Sequence, residues 1–198
     1  LEICLGGENM AKKLEGNWTD GYALDQYILK SEYVGDDAFG NPVFDSTYSE
    51  IGKLIHSMKY NGHYDTSEEI AERCSNFMSS WLRGITIDAI VAVPPTKSRD
   101  AQPVFLIGEA LHDKTSIPFA SNILRKDSGA EVKGIPHEER NIQGCIHQIR
   151  PATRPCNILL LDDIFSTGTT AKECVRVLKQ DPLINEIYFL AVAKTKND

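Results

Sequence analysis

Two adjacent carboxylates, Asp162 and Asp163, follow an apolar run and precede a cluster of small hydroxyl side chains, Ser166, Thr167, Thr169 and Thr170, interrupted by Gly168. Each part of this stretch, ILLLDDIFSTGTT over residues 158–170, has a chemical use. A strand ending in paired carboxylates brings hydrogen-bond acceptors to a sheet edge, where the neighbouring hydroxyls of a ribose could donate to them. Gly168 has no Cβ, so the backbone there can come close to a phosphate. Amide donors at the start of the following helix, joined by the hydroxyls, make an anion cradle that the helix dipole favours. An isolated Asp-Asp pair reads instead as a helix cap. Asp36-Asp37, which has neither the apolar run nor the glycine loop, gets that reading.

Such a site needs a frame, and the surrounding pattern supplies one. Ser46 or Thr47 can cap a helix with Ile51, Leu54, Ile55 and Met58 on one face, ending at Asn61-Gly62. A capping box, Thr66 with Glu69, opens a second helix that carries Ile70, Cys74, Phe77 and Trp81 and stops at Gly84. Residues 87–93 form a short apolar, β-branched run closed by Pro94-Pro95, the signature of a buried parallel strand. Pro103 suits the first turn of a helix through Val104, Ile107 and Leu111, and residues 116–119 lead to another strand. After residues 158–161 comes a helix burying Ala171, Cys174, Val175 and Leu178, then a last strand over 186–193. Strands alternating with helices predict an α/β fold with a central parallel sheet flanked by helices, whose ligands gather at the carboxyl ends of the strands. Residues 124–149 are charged and broken by Gly129, Gly134 and Pro136, as in a mobile loop or hairpin. Residues 1–45 are polar and without sustained periodicity, with a short helix or strand allowed between Tyr22 and Tyr33.

Composition bounds the partners. The chain has 198 residues, 41% of them hydrophobic, enough for one sizeable core. Its net charge of −7 argues against broad adhesion to nucleic acid or anionic membrane, and no apolar run reaches spanning length. The expectation is a cytoplasmic protein. Cys4, Cys74, Cys145, Cys156 and Cys174 lie far apart with no C-x-x-C pair, so free thiols and no zinc site are expected. A first residue of Leu leaves open a processed chain or missing upstream sequence, with Met10 a conceivable start.

Residues 158–170 resemble the motif with which type I phosphoribosyltransferases bind 5-phosphoribosyl-1-pyrophosphate (PRPP). Three further blocks, YSEIGKLIHSMKY (48–60), VAVPPTKSR (91–99) and RNIQG (140–144), resemble successive segments of ComF-like proteins, the competence-associated branch of that family. The resemblance covers roughly residues 45–195. It implies a phosphoribosyltransferase domain over 46–198, with 1–45 as an N-terminal hood or extension, and a flexible lid. Asp162 and Asp163 would hold the ribose hydroxyls, and Ser166, Thr167, Gly168, Thr169 and Thr170 the 5-phosphate. Pro95, Thr96, Lys97, Ser98 and Arg99 would form the pyrophosphate loop, Lys97 and Arg99 neutralising the leaving group; alone, these two read as a solvated basic turn. Arg125, Lys126 and Lys133 fall in the lid segment, where a charged solvent loop is nearly as good a reading. Magnesium would come with PRPP, held through ligand oxygens and water.

Two departures narrow the expectation. ComF-like proteins commonly carry a four-cysteine zinc module, whereas this chain has only Cys4 before Cys74. Position 166 is serine, where 6-oxopurine salvage enzymes carry an acidic residue, and a serine hydroxyl is no general base near neutral pH. Hypoxanthine and guanine are thereby disfavoured as acceptors. The expected function is transfer of the phosphoribosyl group from PRPP to a nitrogen acceptor of unknown identity, with release of pyrophosphate. The alternatives are a PRPP- or nucleotide-sensing regulator without turnover, and a ComF-like partner in DNA processing, which the acidic balance does not favour. A homodimer is compatible with all three.

Overall fold

The computed structural model describes residues 11–95, 101–127 and 144–195. Its central element is a six-stranded sheet in the order β1 (Lys12–Lys13), β2 (Asp20–Gln26), β10 (Ile184–Lys194), β9 (Cys156–Phe165), β5 (Ala89–Ala92) and β6 (Phe119–Ala120). Only β1 runs antiparallel to its neighbour; every other pairing is parallel. The architecture is thus the expected α/β one, a mostly parallel sheet between helices. No helix among the described residues is long and apolar enough to cross a membrane.

Side-chain alternation along the strands sorts the core into two layers. Leu159, Leu161, Ile90 and Leu190 pack toward α1 (Glu50–Tyr60), α2 (Thr66–Trp81) and α3 (Pro103–Thr115). Ile158, Leu160, Val91 and Phe189 pack toward α4 (Thr169–Leu178) on the other face. That face also receives Leu124 and Ile146 from a small hairpin, β7 (Leu124–Lys126) with β8 (Ile146–Gln148). Both faces of β9 and β10 are covered, which is why these strands read as unbroken apolar runs.

Several boundaries differ from expectation for identifiable reasons. The first helix is capped by Ser49, whose hydroxyl accepts from the Gly52 amide at 2.9 Å and donates to the carbonyl of Gln26 at the end of β2. Ser46 and Thr47 belong instead to β4 (Pro42–Tyr48), which pairs with β3 (Ile28–Asp36) in a separate two-stranded ribbon. Thr66 is the first residue of α2 rather than its cap, and its hydroxyl donates to the carbonyls of His63 and Leu54. Asp37 caps no helix: it closes the turn of the ribbon, accepting the amides of Phe39 and Asn41 at 2.8 and 2.9 Å. The stretch from Tyr22 to Tyr33, read as allowing a short helix or strand, is divided between two strands: β2 lies inside the main sheet against β10, and β3 belongs to the ribbon. The strand after residue 158 does not close at the aspartates but runs on to Phe165 beside β10, with Asp162 opposite Ala191 and Ile164 opposite Ala193.

Packing is tight where α3 crosses β6. A Cβ added at Gly108 would sit 2.3 Å from the Phe119 ring, so Gly108→Ala should destabilise the fold by about 1–3 kcal/mol, the usual cost of overpacking. A urea titration reads this as a lower midpoint at unchanged slope.

Candidate functional site

Strand β5 leads into α3 on one face of the sheet, and its neighbour β9 leads into α4 on the other. These adjacent strands thus lead to helices on opposite faces, the topological switch point beside which open α/β sheets bind ligands. The Val93 amide donates to the Leu161 carbonyl at 2.8 Å, which sets Pro94 and Pro95 beside the start of the Asp162-Asp163 pair. Pro95 is the only described residue of the expected pyrophosphate loop; Thr96, Lys97, Ser98 and Arg99 lie outside the described residues.

The two carboxylates are not equivalent. Alternation sends Asp163 to the face of Leu161, where its Oδ2 meets Lys59 Nζ of α1 at 2.6 Å and its Oδ1 accepts the Ile164 amide at 2.8 Å. Asp162 turns the other way, toward Cys174 of α4, and its Oδ1 accepts the Asp163 amide at 2.9 Å. Burial, reinforced by the Asp163 carboxylate and opposed by Lys59, pushes the Asp162 carboxyl well above the usual carboxylate range. Lys59 went unnoticed in the sequence, where it looks like any lysine in a helix's last turn. Only the folded arrangement, which leaves its side chain 11% exposed, marks it.

Beyond Phe165 the chain turns sharply. Gly168 holds φ at +76°, in the left-handed region that favours glycine, and serves as the N-cap of α4. Having no side chain, it caps none of the first-turn amides itself, and the Thr169 amide reaches the Thr167 hydroxyl at 3.5 Å instead. A Cβ there would lie 2.6 Å from the Phe165 ring, itself packed against Trp18 and Phe189 at centroid distances of 6.2 and 5.8 Å. An aromatic floor thus fixes the height of the loop. The hydroxyls of Thr167 and Thr169 lie 2.9 Å apart, and Ser166, Thr167 and Thr169 are exposed around them. Ser166 Oγ accepts from the Thr195 hydroxyl at 3.3 Å. The structure therefore gathers Asp162, Asp163, Ser166, Thr167, Gly168, Thr169 and Thr170 along one sheet edge, with Pro95 next to them.

The β3–β4 ribbon rises from this same edge, because β2 ends at Gln26 opposite Lys194. Its foot meets α1 through rings: Tyr27 on Tyr48 at 5.3 Å, Tyr48 on His56 at 4.8 Å, and His56 on Tyr60 at 4.7 Å. Tyr60 is 65% exposed and follows Lys59 directly.

Of the expected lid residues, Arg125 and Lys126 stand on β7, Arg125 exposed within 3.5 Å of Asp127, while Lys133 lies outside the described residues. The two ends of the 124–149 segment are not loose. They pair as β7 and β8, bury Leu124 and Ile146, and join Asp127 to His147 at 2.9 Å. Glu173 of α4 ties the returning end to the site, accepting the Gly144 amide at 2.9 Å while Arg176 clasps the same carboxylate at 2.7 and 2.8 Å.

Arg176 holds the Glu173 carboxyl below its usual range, with the Gly144 amide helping and burial opposing. A carboxyl lowered by folding contributes stability above its unfolded-state pKa and loses it as pH falls through the folded one. Protection of the 144–148 amides from hydrogen exchange should accordingly weaken in acid. At neutral pH, Glu173→Gln should speed their exchange about five- to tenfold, a charged hydrogen bond discounted for solvent screening.

No protein-family model matches the chain, and no curated protein matches its sequence. Solved structures do resemble it in backbone. An adenine phosphoribosyltransferase from Saccharomyces cerevisiae is 16% identical over 84% of this chain and 85% of its own, with a TM-score of 0.48. A hypothetical protein from Neisseria gonorrhoeae with bound ppGpp is 13% identical over 68% and 70%, with a TM-score of 0.48. A hypoxanthine phosphoribosyltransferase from Staphylococcus aureus is 12% identical over 69% of each chain, with a TM-score of 0.43.

Proposed function

We propose that the chain binds PRPP and transfers its 5-phosphoribosyl group to a nitrogen acceptor, releasing pyrophosphate. The observation that carries this reading is the placement of Asp162 and Asp163 near the carboxyl end of β9, with Asp163 five residues ahead of a left-handed Gly168 that opens a helix. Carboxylates for vicinal hydroxyls and helix-start amides for a phosphate are the two kinds of group that a ribose 5-phosphate needs. In this reading Ser166, Thr167, Thr169 and Thr170 add hydroxyl donors to the 5-phosphate. Pro95, Thr96, Lys97, Ser98 and Arg99 hold the pyrophosphate, with Lys97 and Arg99 offsetting its charge as it departs.

In the transfer, the bond from C1 of the ribose to pyrophosphate breaks, the electron pair leaves with the pyrophosphate oxygen, and the acceptor nitrogen bonds to C1. Positive charge developing on the ribose ring would be stabilised by the Asp163 carboxylate, which is fixed before the reaction begins. Magnesium, if carried in with PRPP, would offset the charge of the pyrophosphate. An ion held mostly by ligand oxygens and water would need at most one or two protein carboxylates.

Arg125, Lys126 and Lys133 are proposed to close over the bound substrate, Arg125 and Lys126 from β7. The ribbon rising at the same edge acts as the hood, with the Tyr48, His56 and Tyr60 rings at its foot suited to a planar acceptor. The hood expected over residues 1–45 is, in this reading, only the ribbon of residues 28–48, since β1 and β2 before it lie in the main sheet of the transferase domain expected over 46–198. The blocks at 48–60, 91–99 and 140–144 support a place beside ComF-like proteins, without their zinc module.

The test is pyrophosphate release from magnesium-PRPP across a panel of nucleobases and small amines, alongside calorimetric titration of PRPP alone. The expected result is low- to mid-micromolar PRPP binding and release that depends on one acceptor class. Binding without release under any acceptor would favour the sensing reading, and absence of PRPP binding would end both. Retention on single-stranded DNA at physiological salt would instead support the DNA-processing reading.

A further inference from the structure

We infer that Lys59 is the positioning residue of this site: its ammonium fixes the Asp163 carboxylate in the orientation that receives a ribose hydroxyl. The inference rests on the PRPP reading and names a residue that the motif does not contain. Lys59 Nζ lies 2.6 Å from Asp163 Oδ2, and the two side chains are only 11% and 19% exposed. A lysine this covered is uncommon unless paired. The second carboxylate oxygen accepts the Ile164 amide at 2.8 Å, so both oxygens are pinned and the group cannot swing. Each oxygen still has a lone pair to offer a hydroxyl donor.

Such a pair contributes little net stability, because removing two charges from water costs about as much as their attraction returns. What it does supply is geometry. Lys59 stands in the last turn of α1, where a cation also suits the helix dipole. The first turn of α1 is fastened by Ser49 to the Gln26 carbonyl, directly before the residues that enter the ribbon. One helix therefore spans from the ribbon's foot to the carboxylate, and a shift of the ribbon on binding an acceptor would be felt at Asp163.

Calorimetry with magnesium-PRPP on the full chain tests this with Lys59→Met, Lys59→Arg, Asp163→Asn and the double variant Lys59→Met/Asp163→Asn. Methionine keeps most of the aliphatic stem, and a thermal melt confirms that each variant is folded at the titration temperature. The expected result is about tenfold weaker binding for K59M, recovery to within about threefold for K59R, and a double variant no weaker than the worse single one, since the lysine acts through Asp163. A structural role alone would lower the melt while leaving the affinity of the folded protein unchanged. Binding by K59M equal to that of the wild type, or a double variant weakened by the product of the two singles, would overturn the inference and leave the PRPP reading standing. Wild-type protein that bound no PRPP would overturn both.

Discussion

Gly168→Val should weaken PRPP binding by about a hundredfold or more while the protein still folds. The residue holds φ at +76°, a conformation in which a β-branched side chain is a steric outlier, and its Cβ would meet the Phe165 ring at 2.6 Å. The ring cannot simply retreat, because Trp18 and Phe189 stand behind it. The loop must then lift, drawing the amides at the start of α4 away from the phosphate position. Losing two hydrogen bonds to a charged ligand, at about 1.5–3 kcal/mol each, reaches a hundredfold or more. Gly168→Ala keeps the clash in milder form and should fall between. Calorimetry with magnesium-PRPP gives the answer, with far-ultraviolet circular dichroism as the check on folding. Equal affinity in both variants would mean that the phosphate is held elsewhere.

Replacing the two aspartates should cost affinity in both cases and separate them by stability. Asp162→Asn and Asp163→Asn should each weaken PRPP binding about tenfold and together about a hundredfold, as expected from hydrogen bonds to charged acceptors. The thermal melts should move in opposite directions. Burial raises the Asp162 carboxyl above its unfolded value, so the folded state binds more protons than the unfolded one in the window between the ordinary carboxylate range and the raised value. Stability then falls as pH rises through that window. An asparagine keeps the acceptor for the Asp163 amide but carries no charge, so it should raise the melting temperature at neutral pH and flatten this dependence. Asparagine at position 163 leaves the buried Lys59 ammonium facing an amide, and should destabilise by about 1–3 kcal/mol. Melts that moved together would mean that the two carboxylates share one environment.

What the sequence made legible was whatever local pattern controls. The apolar run at residues 158–161, the glycine loop and the buried face of α4 each lie within one short stretch, and the structure has them where expected. The end of β9 was not legible, because whether Asp162 and Asp163 continue a strand is decided by the backbone of β10, some thirty residues away. Residues 20–26 are harder still: only Ala23 and Leu24, with Tyr22 partly covered, show an apolar preference, and the strand exists because β10 pairs with it. The β3–β4 ribbon hides for the opposite reason. Leu29, Tyr33, Val34, Val43 and Phe44 are all exposed, so no buried face impresses a period on the sequence. Lys59 belongs to the same class as residues 20–26, since its partner lies more than a hundred positions along the chain.

The strand order has a consequence for how the molecule is made. β10 lies between β2 and β9, so β2 waits for a strand made some 160 residues later before it has a parallel partner. Until residues 184–194 emerge, β2 and β9 each present an open edge, and the aromatic floor beneath the phosphate loop lacks Phe189. Pairings of this sequence separation are slow to close, and unpaired strand edges are where nascent chains aggregate. The edge at the carboxyl ends of the strands is thus among the last features to form, and a chain that stops short of β10 forfeits both its sheet and its site.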